Sequence, residues 1–188
     1  VPFWFIMMRI IPIFAGIILP IIVYGILRHL NISKRLSFLG GILVCLENSL
    51  IVQSRFLMTD SMILLFGFLS LLLYLIYKKN PKKIFIFLSI LFAITVFCIK
   101  WIGLSFVAFI VLFEIYHNYK ERNKIFNVKS AKFIFLYMSL FAIIYISLFA
   151  IHFSLLPRPG TGDPYMSKDF QKKDFTGKFF ELHGEMIR

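Results

Sequence analysis

Long apolar runs alternate with short polar, mostly basic segments along this sequence. The runs cover residues 3–27, 36–52, 61–77, 84–99, 101–117 and 133–156. A helix needs about 20 apolar residues to cross a bilayer, with a range of roughly 17 to 25. Residues 84–117 hold too many apolar positions for one helix at any ordinary tilt, so they divide into two short spans. The pattern therefore predicts six transmembrane helices, followed by a polar tail over residues 157–188.

The composition is typical of a membrane protein, and this affects how the positive net charge is interpreted. Of the 188 residues, 60% are hydrophobic and 16% charged, and a soluble domain of this size cannot bury that much apolar surface. The predicted fold class is an all-α, polytopic transmembrane helix bundle with a short lumenal tail. The net charge of +12 would suggest nucleic acid in a soluble protein. Here the basic residues lie between apolar spans, so nucleic-acid binding is not expected.

The basic residues are distributed asymmetrically. The loops 28–35, 78–83 and 118–132 carry three, four and five of them. Six alternating spans place all three loops on one side of the membrane. Basic loops favour the cytosolic side, so the opposite face and the tail 157–188 are predicted to be lumenal or external.

The same topology gathers the unusual polar residues on the opposite face. Arginine and lysine at this depth suit the phosphate of a lipid, because a guanidinium binds phosphate oxygens bidentately. The alternative is that these side chains only extend to the headgroups. The candidates are Arg9, Arg55 and Lys100 for a lipid phosphate, and Gln53, Asp60, His152 and Asp163 as further cavity residues.

Three polar or reactive groups have simpler interpretations. Arg55 and Asp60 could form an ion pair that closes the turn between two spans. Glu47, set deeper in the second span, is expected to hydrogen-bond a neighbouring helix. Cys45 and Cys98 are expected to be small buried hydrophobic residues. No Ser-His-Asp arrangement, HExxH, Walker loop or GxGxxG motif occurs, and no metal site is predicted.

Five stretches of the sequence carry motifs in one order. Residues 47–61 read ENSLIVQSRFLMTDS, and residues 99–104 read IKWIGL. These two resemble the ENALVTQSRLILLDS-type and VKWVGLF stretches of protein O-mannosyltransferases, which belong to the GT-C superfamily. The other three lie around Arg9, around His152 with residues 160–171, and from Lys178 to Arg188. They resemble MRL…G, HF…SGPGDxFMSxxFQ and KFxELHxxMWR, although Ile187 stands where an aromatic residue is expected.

The resemblance implies an inverting transferase of the endoplasmic reticulum membrane. Its donor would be dolichyl phosphate mannose, its acceptors Ser and Thr hydroxyls of secretory proteins, and its partner a second family member in a homo- or heterodimer. Arg9 corresponds to the family's arginine associated with the lipid phosphate. The resemblance leaves open the need for a divalent metal.

The resemblance also implies that the chain is a fragment. The catalytic Asp-Glu pair of the family is expected before Val1, and further spans are expected after Arg188, so this piece should be inactive alone. Only residues 172–177 separate two motifs that flank a β-trefoil MIR domain in eukaryotic members. Six residues cannot form such a domain, so its absence is expected.

Two other functions remain open. One is another polyprenyl-phosphate-sugar transferase of the same architecture. The other is a transporter or channel subunit, which would need polar residues continuing across the midplane. The spans after Asp60 are expected to offer almost none apart from small hydroxyls.

Overall fold

A computed structural model describes residues 3–55, 59–122, 128–155, 160 and 165–187, and within them the side chains of all but 3–6, 55, 121, 122, 129 and 187. In these ranges the chain forms helices and no strand, which confirms the all-α fold class. The helices are α1 (Phe3–His29), α2 (Lys34–Leu46), α3 (Asn48–Arg55), α4 (Asp60–Lys79), α5 (Lys83–Ile99), α6 (Leu104–Arg122), α7 (Val128–Leu155) and α8 (Phe175–Ile187). Short 3-10 turns cover Trp101–Gly103 and Phe170–Lys172.

The helices divide into two compact units. The first is Val1–Phe141 and the second Ala142–Arg188. The boundary falls within α7, which contributes its first half to one unit and its second half to the other.

Small residues let α2 and α3 pack closely along α1. Gly40 of α2 faces Leu27 so closely that a Cβ could not be added without displacing that side chain. Further along, a Cβ on Gly16 would lie 2.8 Å from Cβ of Ser54 on α3. The contacts move towards the start of α1 as the chain proceeds, so α2 and α3 together run antiparallel to α1. Small residues at the contact are what allow membrane helices to approach this closely.

The predicted single span 36–52 is two helices with a bend of 57° between them. Glu47 ends α2 in an extended conformation, and its Oε1 accepts a hydrogen bond from the Ser49 amide at 3.2 Å. The expectation that Glu47 bonds a neighbouring helix is therefore wrong. Its exposed carboxylate accepts from the Ser49 amide in the first turn of α3, where a negative charge is favourable.

The next helices alternate in direction. Ser89 of α5 donates to the carbonyl oxygen of Ser70 on α4 at 2.8 Å, and Lys100 after α5 meets Asp60 at the start of α4. These two contacts make α5 antiparallel to α4. This second contact lies at what we call the outer end of the bundle, defined by Arg9, Asp60 and Lys100.

Helices α6 and α7 continue the alternation. Near the outer end, the ring of Phe106 fills the space above Gly67, so α6 starts beside the first half of α4. Its second half reaches the last turns of α4, where Tyr74 bonds Glu114. Ser130 of α7 also bonds Glu114, so α7 begins where α6 ends.

The three basic segments meet at the other end, which we call the basic end. Residues 29–31, 78–79, 117 and 120 line one cavity there. The segments are shorter than expected, because α6 continues to Arg122 and α7 begins at Val128. Lysine, arginine and glutamate are good helix formers, so charge alone does not end a helix.

The protein is a multi-pass membrane protein. By length and apolar composition, the helices able to cross a bilayer are Met7–His29, Asp60–Lys79, Trp101–Lys120 and Ser130–Leu155, and the bent pair α2–α3 could count as a fifth. With 17 residues, α5 is shorter, although it runs beside α4. The boundaries of six spans and of the tail stay a prediction. Cys45 and Cys98 are exposed on the helix surfaces, so the expectation that they are buried is wrong.

Candidate functional site

An apolar groove of about 300 Å³ separates α1 from α2 and α3 near the outer end. Ile13 and Gly16 form its α1 wall, and Leu50 and Ser54 belong to its α3 wall. The groove lies beside the close approach of Gly16 to Ser54 and beside the 57° bend between α2 and α3. Such a groove suits a hydrocarbon chain better than a polar solute.

Arg9 lies above this groove on the same face of α1. It precedes Ile13 by four residues and Gly16 by seven, and these spacings align side chains along one helix face. Helical side chains tilt towards the N-terminus, which carries the Arg9 guanidinium further towards the outer end. Arg9 is exposed. The arrangement pairs a cation with an apolar groove, which are the two parts that a phosphate-linked lipid needs.

Two further candidates lie on α3 beside the groove. Gln53 is half-buried, next to the groove residue Ser54. Arg55 is the last residue of α3, and its side chain falls outside the described part of the structure. The expected Arg55–Asp60 ion pair therefore stays a prediction.

Asp60 and Lys100 are brought together, although 40 positions separate them. Lys100 Nζ lies 2.5 Å from Asp60 Oδ1, with the two side chains 51% and 32% exposed. Asp60 is the first residue of α4, where the helix dipole favours a carboxylate. Both partners keep unfilled hydrogen-bonding capacity towards solvent, so the pair can exchange with a charged ligand.

Gly103 fixes the position of Lys100. A Cβ at Gly103 would lie 2.6 Å from the backbone carbon of Val96, so the 3-10 turn after α5 can fold against α5 only with glycine there. The Gly103 amide donates to the Lys100 carbonyl at 2.9 Å, and the Lys100 amide donates to that of Val96 at 3.1 Å. The Lys-Trp-Ile-Gly motif thus directs Lys100 back towards α4.

In the second unit, His152 is exposed in the last turns of α7. Its ring makes an edge contact with Phe153, with centroids 5.7 Å apart. Asp163 lies outside the described residues. Neither observation assigns His152 or Asp163 a function.

The two C-terminal motifs contact each other through Glu181 of α8. One carboxylate oxygen accepts from the Ser167 amide at 2.5 Å, and the other accepts from Ser167 Oγ and, at 2.5 Å, from Lys173 Nζ. The hydrogen bond from Lys173, followed by that from the Ser167 amide, lowers the pKa of Glu181. The chain passes directly from Phe170–Lys172 into α8, with no further domain between the motifs.

His183 joins α8 to α7. Its Nδ1 lies 2.6 Å from the carbonyl oxygen of Phe179, and its Nε2 lies 2.7 Å from the Tyr145 hydroxyl. A carbonyl can only accept, so Nδ1 carries the proton, and in a neutral ring the Tyr145 hydroxyl donates to Nε2. The histidine is packed among aromatic rings, including Phe149 and Phe179. Glu181 and His183 therefore hold the second unit together.

Sequence reasoning missed a buried polar cluster near the basic end. Glu114 of α6 is 6% exposed and accepts from Tyr74, Lys78 and Ser130 at 2.5, 3.1 and 3.2 Å. The expectation of almost no polar residues after Asp60 is therefore wrong. A lone acid inside the apolar run 101–117 was the available signal, since such residues are costly in a membrane unless paired.

The chain is similar to known mannosyltransferases over most of its length. The sequence profile of the family described as dolichyl-phosphate-mannose-protein mannosyltransferase matches residues 2–156. Protein O-mannosyltransferase 1 of Drosophila pseudoobscura is 29% identical over 181 residues, covering 90% of this chain and 20% of that protein. Protein O-mannosyl-transferase 1 of Danio rerio is 31% identical over 183 residues, covering 91% of this chain and 25% of that protein. The chain thus spans a fifth to a quarter of these relatives, and no solved structure matches it significantly.

Proposed function

We propose, given that the chain belongs to the dolichyl-phosphate-mannose-protein mannosyltransferase family, that it forms the donor-lipid region of a protein O-mannosyltransferase. The donor is dolichyl phosphate mannose, and the acceptors are Ser and Thr hydroxyls of secretory proteins. The protein acts in the endoplasmic reticulum membrane, with the basic end cytosolic and the outer end lumenal. The acceptor polypeptide and a second family member, in a homo- or heterodimer, are its partners.

The observation that carries this proposal is the position of Arg9 on the groove face of α1. In the proposed complex the dolichyl chain lies along Ile13 and Gly16, and the guanidinium of Arg9 binds the phosphate. Arginine fits this role because its planar fork can hold two phosphate oxygens at once. The positive charge also stabilises the phosphate as it leaves the sugar, since charge develops there in the transition state.

The Lys100–Asp60 pair is proposed as a second part of the site. When a negatively charged donor binds, Lys100 can share its charge between Asp60 and the phosphate. Asp60 then limits the free positive charge of the empty site. Arg55, Gln53, His152 and Asp163 stay cavity candidates without an assigned role.

The experiment is mannosyl transfer by the full-length protein carrying Arg9→Ala. We expect transfer to fall about 10- to 100-fold, because a hydrogen bond to a charged group contributes about 1.5–3 kcal/mol. Arg9→Lys should retain part of the activity, since it keeps the charge and loses the bidentate geometry. Undiminished transfer by Arg9→Ala would disprove the role of Arg9.

The matched control is Arg35→Ala, an exposed arginine in the first turn of α2 at the basic end. It removes the same charge and leaves the groove intact, so transfer should be unchanged. Membrane insertion of all variants is checked by alkaline extraction. Supplying other polyprenyl-phosphate sugars tests the alternative donor: equal transfer of another sugar would favour a different transferase of this architecture.

A further inference from the structure

A cavity of about 730 Å³ opens at the basic end, far along the helices from the groove. It lies between the last turns of α1, α4 and α6. Its polar lining comes from His29, Asn31, Lys78, Lys79, His117 and Lys120. The volume is within the range of small-molecule sites, which is about 300–1,000 Å³.

The charge of the lining is positive. Lys78 is partly neutralised by the buried carboxylate of Glu114, 3.1 Å away. Lys79 donates to the side-chain oxygen of Asn31 at 3.1 Å, a neutral partner that leaves its charge in place. Lys120 adds a further positive charge, and none of the described residues that line the cavity is acidic. The cavity is therefore suited to an anion.

The remaining lining is apolar. Leu75 of α4 and Phe113 of α6 form the deeper wall, and Tyr116 stands at the surface with 59% of its area exposed. A free inorganic anion would gain nothing from these surfaces. An amphiphile would bury its apolar part against them and leave its charge beside the lysines.

We propose that this cavity binds the phosphate group of an anionic phospholipid headgroup. Lys79 and Lys120 contact the phosphate oxygens, and the glycerol and first acyl carbons lie against Leu75 and Phe113. Basic cavities between transmembrane helices suit such headgroups. Because it contacts α1, α4 and α6, the lipid connects three helices of the first unit. The site does not depend on the transferase function.

The test is thermal unfolding of the purified full-length protein with added lipid. The probes are dioleoyl phosphatidic acid, dioleoyl phosphatidylcholine and inorganic phosphate. A ligand that binds only the folded state raises the unfolding temperature with its concentration. We expect phosphatidic acid to raise it, and phosphatidylcholine and inorganic phosphate at equal concentration to leave it unchanged.

The variant is Lys79→Gln with Lys120→Gln, and the matched control is Lys34→Gln with Lys82→Gln, two exposed lysines of the same end outside the lining. We expect the double variant of the cavity lysines to bind phosphatidic acid at least tenfold more weakly, because each lysine near an anionic lipid adds to the binding free energy. The control pair should bind as wild type.

Three results would overturn the proposal. One is equal loss in both pairs, which would indicate a general surface charge effect. Another is protection by inorganic phosphate as strong as that by phosphatidic acid. The third is unchanged binding in the cavity pair. Should that pair unfold early in phosphatidylcholine alone, Lys120→Gln replaces it, because this position leaves the Lys79–Asn31 contact intact. Unchanged binding by Lys120→Gln would equally overturn the proposal.

Discussion

Two lysine–carboxylate pairs mark the two ends of the first unit, and they differ in burial rather than in chemistry. At the basic end, Lys78 lies 3.1 Å from Glu114, with the side chains 26% and 8% exposed. At the outer end, Lys100 lies 2.5 Å from Asp60, with 51% and 32% exposed. The pair with the shorter distance is the one that water reaches.

The distance between the two charges does not by itself indicate how much each pair stabilises the fold. Glu114 receives two further hydrogen bonds, from Tyr74 and Ser130, so removing it leaves several buried groups without an acceptor. The Lys100–Asp60 pair is screened by solvent and contributes little to stability. The basic-end pair therefore maintains the fold, whereas the outer-end pair is available for a ligand.

The strongest test of this contrast is Glu114→Ala. We expect it to destabilise the protein by about 3 kcal/mol, because it leaves Lys78, Tyr74 and Ser130 with unmet hydrogen bonds. Glu114→Gln should cost less, since it keeps an acceptor. Thermal unfolding in detergent measures both. A wild-type unfolding temperature for Glu114→Ala would show that the buried cluster is not structural.

Gly103→Ala tests how the outer-end pair is positioned. The added methyl group would meet the Val96 backbone, so the turn must move and carry Lys100 away from Asp60. We expect a loss of about 1–3 kcal/mol, as for other overpacked sites. The matched control is Gly184→Ala in α8, where a Cβ meets nothing within 4 Å. If both variants unfold alike, the close packing at Gly103 is not what positions Lys100.

Breaking the outer-end pair directly should have a smaller effect on stability. Asp60→Asn, Lys100→Gln and the double variant form a cycle, and we expect a coupling energy below about 1 kcal/mol. We also expect mannosyl transfer by the full-length Lys100→Gln protein to fall by more than this stability change explains. A coupling energy near the loss of about 3 kcal/mol expected for Glu114→Ala would remove the contrast between the ends.

A third pair, Lys173–Glu181, gives the smallest expected effect. The pKa of Glu181 is lowered in the folded state, chiefly by the Lys173 hydrogen bond. Its stabilising contribution is therefore complete above the unfolded pKa of about 4.3 and is lost as pH falls through the folded value. After correction for the intrinsic pH dependence of amide exchange, the protection of the Ser167 amide should fall in wild type as pH falls over that range.

The control is Glu181→Gln, in which that pH dependence should be weaker. Asp174 also has a lowered pKa, first through its hydrogen bond from Thr176, so Asp174→Asn is compared in parallel. If Glu181→Gln leaves the pH profile of Ser167 unchanged, the carboxylate does not control this contact.

Much of the architecture was predictable because it depends on local patterns. Among the described residues, apolar runs predicted the long helices, and the alternation of the spans predicted that the three basic segments lie at one end. The break at Glu47 was not predicted, although the polar residues 47–49 interrupt the apolar run there. A few polar residues do not by themselves end a helix, and the cap to Ser49 is a single local bond. Helices also extend into segments that basic composition suggested were loops.

The candidate site was less predictable because it depends on distant contacts. The outer-end pair joins positions 40 apart, as does the bond between Tyr74 and Glu114. No local pattern specifies which partner a lysine or a carboxylate finds across helices. The groove below Arg9 likewise depends on the approach of Ser54 to Gly16, which requires the three-dimensional bend between α2 and α3.

The packing of α1 also has a consequence for biogenesis. One side of α1 receives α2 and α3, which are synthesised immediately after it. The other side of α1 packs against α4, where Gly25 contacts Leu72, and α4 is synthesised later. During synthesis, α1, α2 and α3 can therefore assemble as a hairpin while the α4-facing side of α1 is still open to lipid. A chain stalled before α4 would expose that side to quality control.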